Sequence, residues 1–309
     1  MSQHTPDVLK QFQPAQQCFI GIDSDGCVFD SMEIKQKECF APQFIKHFGL
    51  QPVSRYAREV WEFVNLYSKS RGCNRFLALA RSFDLLARRP EVLARNVQPI
   101  DYSPLKAWTQ VESKLSSKTI SKYLDEHPDA HPFMQRCKAW SLAVDAAVKD
   151  IVENVPPFPF FRESVEMAKE RADILVISST PCEALEREWA EHDIARYASV
   201  IAGSEMGSKK EHLEYAAKGK YGAGKILMIG DAPGDQQAAQ HIGAAFYPII
   251  PHHEEESWER FHNEALDKFF NGSFDGEYAA QLDREFDASL PENPSWKQVE
   301  PQIAGIQAN

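Results

Sequence analysis

The stretch Cys18-Phe-Ile-Gly-Ile-Asp23-Ser-Asp25-Gly-Cys-Val-Phe-Asp30-Ser31 decides the fold. An apolar run closes on an acid. A second acid follows two residues later, and a glycine comes directly after it. A run apolar at successive positions predicts a strand buried on both faces, as in a parallel sheet. Gly26 lets the chain turn sharply where that strand stops. Asp23 and Asp25 are thereby delivered to the strand's carboxyl end, the edge at which open α/β sheets bind ligands. Two carboxylates this close repel each other unless a cation or a proton neutralises them. The pair therefore points to chemistry rather than to packing.

Further along the chain, the rhythm of strand and helix is interrupted once. From about Glu33 to Ile151 helical spacing dominates: Phe40, Phe44 and Phe48; Ala57, Val60, Trp61 and Val64 after Ser54 as N-cap; Phe76, Leu77, Ala80 and Phe83 after Asn74; Leu105, Trp108, Val111 and Leu115; Cys137, Ser141, Val144 and Val148. So long a block is a helical bundle inserted into the chain rather than a loop. Val155-Pro-Pro-Phe-Pro159 ends it as a rigid linker. Strands are then predicted at Ile174–Ile177, Ser199–Ala202, Ile226–Ile229 and Ala245–Tyr247, each preceded by a helix. That alternation predicts an α/β fold, a doubly wound parallel sheet carrying a large all-helical insert. The expected division is residues 1–31 and 155–250 as the α/β core, 32–154 as the helical cap, and 251–309 as a helical extension packed on the core. In that extension Trp258, Phe261, Ala265 and Phe269 share one helix face and Tyr278, Leu282 and Phe286 another, and the last dozen residues are expected to fray.

The 309 residues are 43% apolar and 26% charged, ordinary for a globular chain, and carry a net charge of -11. This sign argues against nucleic acid or an anionic membrane as partner, but not against a small anionic substrate met by a local cation. The six cysteines are scattered without a C-x-x-C pair, which excludes a zinc framework and suits thiols in a reducing compartment. No signal-peptide core and no apolar run of membrane-helix length appear, so the expected location is cytoplasmic.

Each later strand also ends in polar groups. Ile177 leads into Ser178-Ser179-Thr180, Ile229 into Gly230-Asp231-Ala-Pro-Gly-Asp235, and Gly207-Ser208-Lys209-Lys210 opens a helix between them. In this order the set resembles the four motifs of the haloacid dehalogenase-like hydrolase superfamily: D-x-D-G at Asp23 to Gly26, extended by Asp30-Ser31; a strand ending in Ser or Thr at Ser178, with Ser179 and Thr180 leaving the register open; a helix-opening lysine at Lys209, with Lys210 as fallback; and G-D-x-x-x-D at Gly230, Asp231 and Asp235. The resemblance covers residues 18–31 and about 155–250.

The resemblance implies a phosphatase of the type carrying a C1 cap, the helical insert between the first two motifs. Asp23 would be the nucleophile and Asp25 the acid and base. Ser178 would hold a phosphoryl oxygen and Lys209 would offset charge. One Mg²⁺ would be bound by Asp23, Asp25 through its main-chain carbonyl, Asp231 and Asp235. Aspartate at position 25 implies phosphoryl rather than dehalogenase chemistry. A small phosphorylated metabolite is the expected partner of a monomer or homodimer, with Ser179, Arg71 and Arg75 as candidate substrate-binding residues. A phosphomutase resembling β-phosphoglucomutase, and a silent phosphometabolite-binding protein, are the alternatives. His127-Pro-Asp129-Ala-His131 reads as a surface turn rather than a metal site, and His252 to Glu256 as an acidic helix start.

Overall fold

The computed structural model describes residues 4–98 and 100–300. Five strands, β1 (Cys18–Ile22), β2 (Ala172–Ile177), β3 (Val200–Ala202), β4 (Ile226–Gly230) and β5 (Ala245–Pro248), form one sheet in the order β3-β2-β1-β4-β5. All four pairings are parallel, with Ile22 opposite Val176 and Ile229. The strand run in the deciding stretch is the sheet's centre, buried at every position. Gly21 gives the neighbouring side chains room there, since a Cβ would lie 2.6 Å from Ile177 Cδ1 and force it to shift.

Alternate residues of each strand enter two separate cores, the period of two expected of a sheet covered on both faces. Ile20, Ile22, Ile174, Val176, Leu227 and Ile229 pack on one side with Phe161, Trp189 and Trp258. Phe19, Leu175, Ile177, Ile226 and Met228 pack on the other with Leu213, Ala239 and Phe286. The winding reverses between β1 and β4, the position at which such sheets open a crevice beyond their carboxyl ends.

The described residues divide into two compact units, one running to Met32 and resuming over 153–290, the other spanning 33–152 and resuming at Pro291. The first is the sheet with its helices. In it the tail helices Glu254–Arg260 and Leu266–Asn271, joined by the π-helical turn Phe261–Ala265, bury Trp258, Phe261, Ala265 and Phe269 in one core, and Gly276–Ser289 sets Phe286 edge-on against Phe246 of β5 at 5.4 Å. The tail is not one extension of the sheet unit. Pro291 to Glu300 belong to the helical unit, where Trp296 meets Phe63 edge to face at 5.3 Å and the Arg89 guanidinium at 4.5 Å. Arg81 donates to the Glu292 carbonyl at 2.7 Å, and Val299 N–H donates to Arg88 O at 2.9 Å. The chain thus passes between the units three times. Residues 301–309, most of the segment expected to fray, lie outside the described residues.

The helical unit is built on an aromatic core of Phe40, Phe44, Phe48, Trp61, Phe76, Phe83, Trp108, Phe133 and Trp140. Its helices include Ala41–Phe48, Ser54–Asn65, Arg75–Ala87, Ser103–Val111, Ser117–Glu126 and Pro132–Ile151. Asn74 caps as expected, accepting from Phe76 N–H at 3.0 Å. Ser54 does not. A 3₁₀ turn over Gln51–Val53 has already coiled the chain, so Ser54 is the first residue of its helix and its backbone is helical. Val111 was expected inside the stripe begun by Leu105 and Trp108. It is 80% exposed, because the helix ends on it. Leu77 is exposed as well, lying off the buried face of its helix.

Candidate active site

Asp23 follows β1 directly and is buried, its N–H donating to Ile229 O at 3.0 Å. Beyond it the chain folds into a tight turn. The Ser24 carbonyl accepts Val28 N–H at 2.9 Å, Gly26 takes φ 75°, and Gly26 N–H donates to Phe29 O at 2.8 Å. Two indoles hold this turn from within the sheet unit: Trp189 Nε1 donates to Ser24 Oγ at 3.0 Å and Trp258 Nε1 to the Cys27 carbonyl at 2.7 Å. Trp258 comes from the C-terminal tail, so that tail takes part in building the deciding stretch. The sequence predicted only its packing.

Lys209 begins the helix Lys209–Ala216, which Ser208 and Glu211 close with a reciprocal capping box. Its Nζ lies 2.7 Å from Asp23 Oδ2 and 2.7 Å from Asp235 Oδ1. Lys210 is exposed, so Lys209 is the lysine that reaches the acids. Asp235 is fully buried and its second oxygen accepts Ala232 N–H at 3.1 Å. Gly230 makes room for it, since a Cβ there would collide with the Asp235 side chain. Carboxylate oxygens of Asp23, Asp231 and Asp235 come within 4.8 Å of one another. Three buried carboxylates face one ammonium.

Burial pushes the Asp23 carboxyl up to about 6, Lys209 opposing and Asp231 and Asp25 adding to it. Burial does the same to Asp235, again to about 6, with Lys209 opposing and Asp23 adding. Burial opposes the Lys209 charge too, but Asp23 and Asp235 outweigh it and raise the ammonium above its ordinary range. Another buried acid shows the contrast. Asp173 of β2 accepts Ala15 N–H, Gln16 N–H and the Tyr221 hydroxyl, at 3.0, 3.0 and 2.7 Å, and is thereby satisfied within the protein. Asp23 Oδ1 is buried and accepts no hydrogen bond. Such an oxygen calls for a cation or a proton.

Asp25 is held apart from that cluster. Thr180 Oγ1 donates to its Oδ2 at 2.7 Å, and Ser31 Oγ donates to its Oδ1. The Asp25 side chain is therefore not among the clustered carboxylates; the expected metal contact through its main chain is a separate matter. Ser178 is buried at the end of β2, its Oγ accepting Thr180 N–H at 3.2 Å. Ser179 is exposed beside it. Thr180 entered the sequence reading only as an alternative register, and its link to Asp25 spans a loop no local signal encodes.

Both candidate arginines make contacts within the helical unit. Arg75 pairs with Asp145 at 2.6 Å, donates to Ser141 Oγ at 3.1 Å and lies over the Phe40 ring. Arg71 is buried and donates to Leu66 O at 2.9 Å. His131 caps the helix Pro132–Ile151 through Phe133 N–H at 3.2 Å, and His127 stacks on Tyr123.

No family model matches the chain, and no curated protein does. Solved structures do match. A haloacid dehalogenase-like family hydrolase from Streptococcus pneumoniae is 12% identical, with 82% of this chain and 98% of that one covered and a TM-score of 0.43. A predicted phosphoglycolate phosphatase from Haemophilus somnus is 14% identical, with 76% and 86% covered and a TM-score of 0.40. A HAD-superfamily hydrolase of subfamily IA from Geobacter sulfurreducens is 15% identical, with 77% and 89% covered and a TM-score of 0.37. The parallel sheet with its acids at the carboxyl edge is the fold that the sequence resemblance implied. At these identities and scores the comparisons carry no argument about chemistry, which rests on the residues themselves. Among the described residues no helix is long and apolar enough to cross a membrane.

Proposed function

We propose that the chain is a haloacid dehalogenase-like phosphatase that hydrolyses a small phosphorylated metabolite through an aspartyl-phosphate on Asp23. One observation carries the reading. A buried carboxylate is bridged by a lysine to a second acid, while a third, Asp25, stands two residues away on its own hydroxyl donors. In the first step an Asp23 oxygen bonds to phosphorus as the bond to the ester oxygen breaks. Protonated Asp25 gives its proton to that leaving oxygen. In the second step Asp25, now ionised, takes a proton from water. The water oxygen bonds to phosphorus, and the bond to Asp23 breaks to release phosphate. Lys209 balances negative charge on the reacting groups. Ser178 and the backbone beside it lie at the strand end where a phosphoryl oxygen would be held.

The donor set fits a hard divalent cation, Mg²⁺ by the resemblance. Oxygen ligands lie roughly 2.0–2.6 Å from such ions, and three carboxylates less one ammonium leave two negative charges, which a divalent ion balances. Asp23, Asp231 and Asp235 would hold it, with the Asp25 carbonyl as the further ligand the resemblance suggests. When bound it would relieve the repulsion between a carboxylate nucleophile and an anionic ester. The decisive experiment is phosphate release from a panel of sugar, nucleotide and carboxylic-acid phosphates, with Mg²⁺ and with chelator. Release from at least one ester, lost on chelation, is expected. No release from any ester overturns the reading. Transfer of label within a sugar phosphate, without free phosphate, replaces it with the mutase.

A pH dependence follows from the raised carboxyls. Between their unfolded value near 4 and about 6, the folded protein holds protons on Asp23 and Asp235 that the unfolded chain has lost. As pH rises through this window those protons leave, and the metal-free fold loses the stability they conferred. Mg²⁺ needs the ionised carboxylates, so below pH 6 it must displace protons, at about tenfold in apparent affinity per pH unit for each one. The Tm gain on adding Mg²⁺ is expected to be larger at pH 7.5 than at pH 5.5. Buried His212, held near 4 by burial, changes stability with pH in the opposite sense, so the gain is measured against chelator at each pH. Equal gains at both pH values would exclude these carboxylates as ligands.

A further inference from the structure

On the phosphatase reading above, we propose that Thr180 is a residue that positions Asp25 for proton transfer. Its Oγ1 donates to Asp25 Oδ2 at 2.7 Å. Ser31 donates to the other oxygen, so the carboxylate is held at both ends. Asp25 is partly exposed and is followed by Gly26 in the left-handed conformation. Each such anchor narrows the staggered rotamers open to the Asp25 side chain.

Thr180 can serve as an anchor because its own backbone is fixed. Its N–H donates to Ser178 Oγ at 3.2 Å, and its carbonyl accepts Ser204 N–H at 3.0 Å. Gly203 approaches so closely that a Cβ on it would lie 2.5 Å from that carbonyl. The β-branched side chain adds stiffness at χ1. A serine at the strand end, a glycine from the loop after β3 and a threonine between them thus form a short relay of contacts from the sheet to the acid. In this relay Ser178 has a positioning part besides the phosphoryl contact expected of it.

A hydroxyl at this place could have a different role, as a donor to the phosphoryl group itself. The two roles differ in how they respond to the leaving group. A general acid contributes only where the leaving oxygen needs its proton. The nitrophenolate of p-nitrophenyl phosphate departs as a stable anion, whereas the phenolate of phenyl phosphate is more basic and benefits from protonation. A phosphoryl contact is common to both esters.

The test is kcat/KM for both esters with the full chain and Mg²⁺, comparing wild type with Thr180→Val, Thr180→Ala and Thr180→Ser. The value for phenyl phosphate is expected to fall about tenfold in Thr180→Val, a fraction of what a general acid supplies. The value for p-nitrophenyl phosphate is expected to stay within about twofold of wild type, since the acid is dispensable for it. Thr180→Ala, which places no methyl group in the loop, should show the same split. Thr180→Ser keeps the hydroxyl and should restore the phenyl phosphate rate. Equal loss on both esters, or no loss on either, overturns the role given to Thr180 while leaving the phosphatase reading in place. A wild type that releases phosphate from neither these esters nor the metabolite panel overturns both.

Discussion

Asp23→Asn is expected to abolish phosphate release without weakening the metal-free fold. An amide cannot form the acyl-phosphate, and removal of a nucleophile on this scale lowers turnover by at least about 10⁴-fold. Loss of activity alone would not separate chemistry from folding. The electrostatics do. Burial already pushes the Asp23 carboxyl up to about 6, so at pH 7.5 its charge is held against a desolvation penalty. Asparagine has nearly the same shape and removes that penalty. Lys209 keeps its 2.7 Å partner Asp235. Thermal unfolding with chelator at pH 7.5 should therefore give a Tm equal to or above that of wild type, beside a phosphate-release assay at background. Release persisting in the variant would remove Asp23 as nucleophile. A large drop in Tm would mean that the lost activity reports unfolding.

The deciding stretch was legible because physical constraints acted on single residues. A central parallel strand must be apolar on both faces, and acids buried together at strand ends need a counter-charge such as a lysine beside them. Each of these constraints shows in a run of a few residues, and Asp23, Lys209 and Asp235 do meet. Contacts across long stretches of sequence were not legible. Thr180 reaches Asp25 only because Gly203 lets the loop after β2 settle against the loop after β3. Trp258 looked like packing, and it is fully buried, but its indole N–H also holds Cys27 across 231 residues. Pro291 to Glu300 carry no periodicity, and they dock through Phe63, Arg81, Arg88 and Arg89, about 200 residues earlier in the chain. Arg75 was legible only as a basic residue, and its 2.6 Å pair with Asp145 lies 70 residues away, where no local pattern names it.

Lys209→Met should produce the largest change in stability and also separate the two uses of the lysine. In the metal-free protein the ammonium is the counter-charge that Asp23 and Asp235 share at 2.7 Å. Methionine fills similar volume and leaves Asp23, Asp231 and Asp235 buried together without it. Removing one partner of a buried charge network costs about 3–5 kcal/mol, roughly a 10 °C fall in Tm for a unit of this size. The sign with pH is fixed. Without the ammonium the carboxyls keep their protons to higher pH, so the deficit should be large at pH 7.5 and shrink by pH 5.5 as they are neutralised. Lys209 itself stays charged across that range, its ammonium raised above its ordinary value, so it adds no slope of its own in wild type. Mg²⁺ should recover much of the deficit at pH 7.5, because a divalent ion meets the same charge deficit. Activity should not recover with it. Balancing charge that develops on a phosphoryl group takes a donor already in place, and losing one lowers kcat by about 10²–10³-fold. A variant restored in Tm by Mg²⁺ but still slow assigns the lysine to both folding and reaction. A metal-free Tm equal to wild type at pH 7.5 would show that the fold does not depend on the ammonium to balance these carboxylates.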